Sequence, residues 1–247
     1  MCQAAWVGDG GRKKGSSKET VVGRITIWLL KLLIAFFVLS LAGVLFYRFV
    51  PVYYTPLMFI RMYEQHSRGE KTRLDHQWVP IDKISPNVPL AAMAGEDAKF
   101  LDHNGFDEKA IVKAIEHNKK GKSVHGASTI TQQVAKNVYL FPSRIFLRKG
   151  LEVYFTMLIE LCWSKERIME VYLNSIEMGD GIYGIEAAAK HYYGCSASEL
   201  NKKQAATIVS CFPSPIKRTP DHMTKEALRH RRQILKGMTY LKSVKFD

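Results

Sequence analysis

The segment Gly126–Asn137 reads GASTITQQVAKN, and its spacing predicts a helix. Apolar Ile130, Val134 and Val138 recur every four residues and so share one face. Ser128 is the expected N-cap. The polar residues share a second face: Thr129, Gln133, Lys136 and Asn137. Hydroxyl, amide and ammonium groups beginning at a glycine suit a phosphate or a sugar, so we interpret this helix as one wall of a binding site.

A pair of adjacent acids precedes this helix. Glu96 and Asp97 open the stretch EDAKFLDHNG, which ends at Gly105. Adjacent carboxylates point in different directions, so one can act as a base while the other holds a neighbouring side chain. The plainer interpretation is a polar helix end with solvated acids.

A cationic pair follows the polar helix. Arg148 and Lys149 open RKGLE, and Glu152 stands four residues after Arg148, where the two side chains can pair on a helix. On an exposed surface such a pair contributes only about 0.3–0.5 kcal/mol and indicates little. If the helix faces the other two motifs, the pair forms a cationic clamp.

The rest of the chain reads as mostly helical, so the predicted fold class is α. Helices are expected from Asp107 as N-cap to Asn118, over 146–162, and from Ser164 as N-cap through Asn174. Asn201 and Gln204 resemble a capping box, and a basic helix is expected over 225–242. No alternating strand pattern of useful length is found.

An apolar stretch near the N-terminus predicts one transmembrane helix. Ile25–Tyr47 would be about 35 Å long as a helix, enough to cross a hydrocarbon core of about 30 Å. Basic residues are more frequent before it than after it, which predicts a cytoplasmic N-terminus. The expected segments are a basic tail (1–24), the span (25–50), a membrane-proximal linker (51–74) and one domain (75–247).

Charge and cysteine content narrow the function classes. The chain has 36 Lys and Arg against 23 Asp and Glu, a formal net charge of +13. A basic domain suits an anionic partner, such as nucleic acid, anionic lipid or a phosphorylated substrate. Nucleic acid is not the expected partner, because the domain is predicted to lie outside the cytoplasm. Four cysteines without a CxxC pair argue against a disulfide scaffold or a zinc site.

Taken in order, five stretches resemble the family 51 peptidoglycan glycosyltransferases. They are EDxxFxxHxG at Glu96–Gly105, GASTITQQxAKN at Gly126–Asn137, RKxxE at Arg148–Glu152, SKERIMEVYLN at Ser164–Asn174 and GDGIYGIEAAAKHYYG at Gly179–Gly194. With no transpeptidase segment, the chain resembles the monofunctional biosynthetic form of Gram-negative bacteria. The resemblance implies a lysozyme-like α fold with a membrane-associated jaw beside the groove.

The resemblance also implies site residues, substrate and location. Glu96 matches the general base and Glu152 the second essential carboxylate. Substrate-binding positions are Asp97, Phe100, His103, Ser128, Thr129, Gln133, Lys136, Asn137, Arg148 and Lys149. The substrates would be lipid II and the nascent glycan strand, at the periplasmic side of the inner membrane. Membrane lipid and other cell-wall synthesis or division proteins are the further partners considered.

The chemistry fits these residues independently. A sugar 4-hydroxyl becomes an effective nucleophile when a carboxylate such as Glu96 accepts its proton. The pyrophosphate leaving group needs charge neutralisation, from the cationic side chains with or without a divalent cation, Mg²⁺ or Mn²⁺. No organic cofactor is needed. The role of Glu152 stays open among orienting Arg148 or Lys149, binding a metal and assisting departure of the pyrophosphate.

Two alternatives differ in kind from a polymerase. A lytic transglycosylase on a similar fold would need an acidic glutamate against the glycosidic oxygen, without a cationic clamp or lipid anchor. A non-catalytic scaffold for wall proteins would keep its function after Glu96→Gln. The cationic set argues against the first alternative.

Overall fold

The computed structural model describes residues 16–119, 121, 128–143, 145–241 and 243–246. Most of the predicted basic tail lies outside these residues, as does the glycine that opens the polar helix motif. The chain divides into two compact units, one ending at Gly43 and the other beginning at Val44.

The first long helix, α1, runs from Ser16 to Phe49. Within it Val21–Phe49 contains an 18-residue window with a mean hydropathy of 2.6, and the large apolar side chains of this stretch are mostly exposed. Its 29 residues correspond to about 43 Å of helix, more than the hydrocarbon thickness of about 30 Å. Among the described residues, one helix is both long enough and apolar enough to cross a membrane, and it is α1. It contains the predicted apolar stretch Ile25–Tyr47, ends one residue before the predicted end of the span at residue 50, and is suited to membrane anchoring.

The second unit is mostly helical, which confirms the predicted class. Its helices are α2 (Pro56–Ser67), α3 (Asn87–Glu96), α4 (Glu108–Lys119), α5 (Ile130–Tyr139), α6 (Phe146–Cys162), α7 (Lys165–Ser175), α8 (Ile185–Tyr193), α9 (Lys202–Cys211) and α10 (Lys225–Leu241). Single 3₁₀ turns lie at Ile81–Lys83 and Ala197–Glu199.

A small sheet joins three very short strands, in the order β1, β3, β2. Strand β1 (Asp75–His76) pairs in parallel with β3 (Ile182–Tyr183), and β2 (Glu177–Gly179) pairs with β3 in antiparallel fashion. Strands of two or three residues are too short for an alternating pattern, which is why the sequence did not predict them.

Helix α3 lies in the core, packs against both α9 and α10 and carries Glu96 at its last position. A Cβ added to Gly95 would lie 2.9 Å from Val209 Cγ1 and 3.1 Å from Ile234 Cδ1. Only glycine allows such a close approach of α3 to its neighbours. The position of Glu96 is therefore fixed by core packing.

Helix α5 packs against α6 and α7 and begins one residue later than predicted. Its N-cap is Thr129, so the prediction of Ser128 was wrong. Thr129 Oγ1 accepts a hydrogen bond from Gln132 N, and Gln132 Oε1 accepts one from Thr129 N, which completes a capping box. The predicted caps of α4, α7 and α9 are confirmed, at Asp107, Ser164 and Asn201.

Candidate active site

The Glu96 carboxylate meets the polar face of α5. Gln133 Nε2 donates a hydrogen bond of 2.9 Å to Glu96 Oε2. Burial raises the pKa of Glu96, while the bond from Gln133 and the charges of His230 and Lys136 act in the opposite direction. A carboxylate whose pKa is raised in this way is suited to general base chemistry.

A cleft of about 290 Å³ opens beside this contact. The polar face of α5 provides Gln133, Lys136 and Asn137 to its wall, as the helical spacing predicted. The rest of the lining comes from α2, from the loop after α5, from the chain at the end of α7 and from the turn after α9: Leu57, Arg61, Leu140, Pro142, Ile176, Glu177, Phe212, Pro213 and Pro215. Glu96 is not itself part of the lining and reaches the cleft wall through Gln133.

The two residues of the predicted cationic clamp, Arg148 and Lys149, both contact Glu152 on α6, and neither lines the cleft. Arg148 Nη1 donates to Glu152 Oε2 at 2.6 Å, and Lys149 Nζ contacts Glu152 Oε1. Glu152 is only 3% exposed, so this is not the ordinary surface pair that the sequence left open. Arg148 Nε also donates to Ser143 O at 2.6 Å, which fixes the direction of the guanidinium.

Lys136 connects the clamp with Glu96 electrostatically. Partial loss of hydration lowers the pKa of Lys136, although the side chain still reaches solvent in the cleft. The charges of Glu152 and Glu96 raise this pKa, while Arg148 and Lys149 lower it. Lys136 therefore lies within electrostatic reach of both predicted carboxylates and of the two other predicted cations.

Asp97 and His103 contact each other at the N-terminal end of α5. His103 Nε2 lies 3.0 Å from Asp97 Oδ1, and Asp97 Oδ2 accepts a hydrogen bond from Ile130 N at 3.1 Å. Asp97 is buried at the N-terminus of α5, where the helix dipole favours a negative charge. This contact ties the residue after Glu96 to the start of α5 and sets the spacing between the two motifs.

Three other predicted substrate-binding residues lie away from the cleft. Thr129 is buried, caps α5 and donates from Oγ1 to Gly105 O at 2.7 Å. Phe100 is fully buried, with Lys165 Nζ 4.6 Å from its ring centroid. Ser128 is exposed just before the cap. The geometry gives Thr129 and Phe100 contacts within the protein.

Sequence reasoning missed an ion pair, Arg61 with Glu177, that lines the same cleft as Lys136. Arg61 on α2 donates from Nε to Glu177 Oε1 at 3.1 Å and from Nη2 to Glu177 Oε2 at 3.3 Å. Burial raises the pKa of Glu177, and Arg61 opposes that shift. Arg61 also contacts Glu64 at 2.7 Å. Because the partners are 116 residues apart, no local sequence pattern indicates that they pair.

Large apolar side chains flank the cleft in the loop that leads into α6 and in the first turn of that helix. Phe141, Ile145, Phe146 and Leu147 are all exposed, and Phe146 is 96% exposed. Pro142 of the same loop lines the cleft. Exposed apolar clusters of this kind mark surfaces that contact lipid or another apolar partner.

A shielded carboxylate beside a cleft with cationic lining residues, in a helical domain preceded by an apolar helix, is typical of an enzyme that acts on an anionic substrate at a membrane. Residues 64–239 match the transglycosylase family. The chain therefore belongs to the family of peptidoglycan transglycosylases.

Curated relatives agree over most of the chain. A biosynthetic peptidoglycan transglycosylase of Bacteroides thetaiotaomicron is 50% identical over 217 residues, 88% of each chain. One of Caulobacter vibrioides is 53% identical over 201 residues, covering 79% of this chain and 85% of the relative. One of Pseudomonas syringae pv. syringae is 46% identical over 213 residues, covering 86% and 90%.

Proposed function

We propose that this protein polymerises lipid II into the glycan strands of peptidoglycan, with Glu96 as the general base. The observation that carries the proposal is the desolvated Glu96 carboxylate, which Gln133 holds next to the Lys136 side of the cleft. Family membership and the named relatives support the reaction class.

The transfer is a single displacement at the anomeric carbon of the growing chain. Glu96 accepts the proton of the lipid II 4-hydroxyl as that oxygen attacks. The new bond joins this oxygen to the anomeric carbon, and the bond from that carbon to the pyrophosphate breaks. Attack opposite the leaving group inverts the α-linked donor to a β-1,4 product. A positioned base of this kind contributes about 10²–10⁴-fold in rate.

Neutralisation of the departing pyrophosphate is the second requirement. Lys136, Arg148 and Lys149 supply three cationic groups within electrostatic reach of one another. Fixed charges aimed at developing negative charge stabilise the transition state without reorganisation. We assign Glu152 the role of orienting Arg148 and Lys149, because both of its oxygens contact these cations.

The predicted divalent cation is given no step in this mechanism. Within the described part of the chain, no group of three His, Cys, Asp or Glu side chains could hold a metal ion. Glu152 is one candidate metal ligand from the sequence, and both of its carboxylate oxygens already contact Arg148 and Lys149. Mg²⁺ or Mn²⁺ dependence stays a prediction that metal titration of the reaction would test.

We further propose an inner-membrane protein with a cytoplasmic N-terminus and a periplasmic domain. The apolar helix Val21–Phe49 supports anchoring, and the basic residues before it support the orientation. The exposed apolar side chains beside the cleft, including Phe141 in the loop and Phe146 at the start of α6, support contact of the jaw with the bilayer. Such contact would keep the cleft at the level where the lipid-linked pyrophosphate emerges.

The test is lipid II polymerisation by the detergent-solubilised protein, with products separated as glycan chains on a gel. Wild type should form polymer, and Glu96→Gln should lower the rate by about 10²–10⁴-fold. Glu166→Gln is a matched control, because Glu166 is exposed on α7. Release of soluble muropeptides instead of polymer would favour the lytic alternative. Absence of any reaction would favour the scaffold, and full activity of Glu96→Gln would reject Glu96 as the base.

A further inference from the structure

We propose that Tyr172 is a positioning residue that holds Gln133 in place against the Glu96 carboxylate. This inference rests on the proposed role of Glu96 as the general base. Tyr172 does not line the cleft and lies on α7, so it would act only through Gln133.

Two hydrogen bonds form the chain of contacts. Tyr172 Oη donates to Gln133 Oε1 at 3.3 Å, and Gln133 Nε2 donates to Glu96 Oε2 at 2.9 Å. The Tyr172 side chain is fully buried, and its ring meets Phe212 edge-to-face at 6.2 Å between centroids. Core packing therefore presents the phenol hydroxyl at a fixed point.

The phenol gives the amide oxygen of Gln133 a partner inside the protein. Without that partner, the oxygen would gain a hydrogen bond by turning towards water, because Gln133 is only partly buried and lines the open cleft. Such a turn would withdraw the amide NH₂ from Glu96. Burial raises the pKa of Tyr172 well above its ordinary value, so the phenol stays a donor throughout the working pH range.

The contact should control the protonation of Glu96. A hydrogen bond donated to a carboxylate favours its charged form. The other groups that act on this carboxylate are Lys136 on α5, His230 on α10 and Asp97 in the loop after α3. All three remain when the Tyr172 hydroxyl is removed, so Tyr172→Phe isolates the effect of the hydroxyl on Gln133.

A purely structural role is the alternative, since any buried tyrosine hydroxyl needs a hydrogen-bond partner. On that view Tyr172→Phe would lower the melting temperature and change the rate equally at every pH. A positioning role predicts instead a change that depends on pH. The distinguishing quantity is therefore the acid limb of the rate profile.

The experiment measures lipid II polymerisation against pH for wild type and Tyr172→Phe. The acid limb of Tyr172→Phe should move up by about one pH unit, which is tenfold on that limb, while the plateau rate changes little. Tyr192→Phe is the matched control, because Tyr192 Oη donates only to Met178 O at 3.0 Å. Its profile should coincide with that of wild type.

A second variant, Gln133→Met, tests the proposal even if Tyr172→Phe does not fold. Gln133→Met removes the bond to Glu96 directly and should move the acid limb in the same direction. Adding Tyr172→Phe to Gln133→Met should cause no further shift. An unshifted limb in Tyr172→Phe, or an additional shift in the double variant, would overturn the proposal.

A readout without catalysis separates this proposal from the proposed function. The melting-temperature difference between Glu96→Gln and its parent protein reports the titration of Glu96. The pH midpoint of this melting-temperature difference should be higher when both proteins also carry Tyr172→Phe. An unchanged midpoint rejects the positioning role of Tyr172, whereas loss of polymerisation by wild type with a shifted midpoint rejects only the proposed reaction.

Discussion

Arg148 Nη1 lies 2.6 Å from Glu152 Oε2, one helical turn apart on α6. Lys149 Nζ contacts the other oxygen of the same carboxylate, so one buried acid holds two cations. Ordinary exposed pairs at this spacing have little influence on stability. Here the buried acid fixes the direction of both cationic groups before substrate binds, which avoids ordering them during the reaction.

Replacing this acid should therefore impair catalysis through its neighbours. Glu152→Gln keeps the shape of the side chain but removes the charge that holds Arg148 and Lys149. We expect polymerisation to fall by about 10²-fold, the usual effect of losing one group that stabilises transition-state charge. Initial rates on lipid II measure this, with Glu166→Gln as the exposed control. A wild-type rate for Glu152→Gln would show that the clamp does not depend on its counter-charge.

The lowered pKa of Lys136 predicts the alkaline limb of the pH profile. The ammonium should lose its proton below the ordinary value of 10.5, and pyrophosphate neutralisation is lost with it. Lys136→Arg should move this limb to higher pH, because a guanidinium stays protonated. Lys136→Met should be poorly active at every pH. Lys203→Arg, a change at an exposed lysine, should leave the limb in place, and an unmoved limb in Lys136→Arg would contradict the assignment.

The sequence predicted well those features of the site that depend on spacing within a single helix. The spacing of 3.6 residues per turn placed Gln133, Lys136 and Asn137 on one wall and paired Arg148 with Glu152. Both inferences need only the helix itself. The same period explains why α6 was predicted at its observed bounds.

Contacts between distant segments could not be predicted in this way. Tyr172 and Gln133 are 39 residues apart, so the spacing within one helix gives no signal of their contact. Phe100 was assigned to the groove from its motif, but core packing places it in the interior. The composition of a motif does not distinguish residues that line a groove from residues that support it.

The N-cap of α5 can be tested by stability measurements, because the sequence predicted Ser128 and the structure shows Thr129. Thr129→Val removes the cap and the bond to Gly105 O, and it should lower the free energy of unfolding by about 1–2 kcal/mol. Thr129→Ser should retain most of this stability, and Ser128→Ala should have no effect. Melting temperatures of the three variants measure the difference. A loss in Ser128→Ala equal to that in Thr129→Val would contradict the observed cap.

Replacement of Glu96 by Gln should stabilise the protein while strongly lowering its activity. Burial raises its pKa in the folded state above the ordinary value of 4.5, so its contribution to stability is complete only below that value. The contribution is lost as pH rises through the raised pKa, because the carboxylate that forms above it is ionised and desolvated. Glu96→Gln should therefore melt above wild type at pH 8, by about 2–4 °C for each kcal/mol gained. The difference should disappear near pH 4, and Glu166→Gln should show none at either pH. A difference that is the same at both pH values would mean that the charge of Glu96 is not its cause.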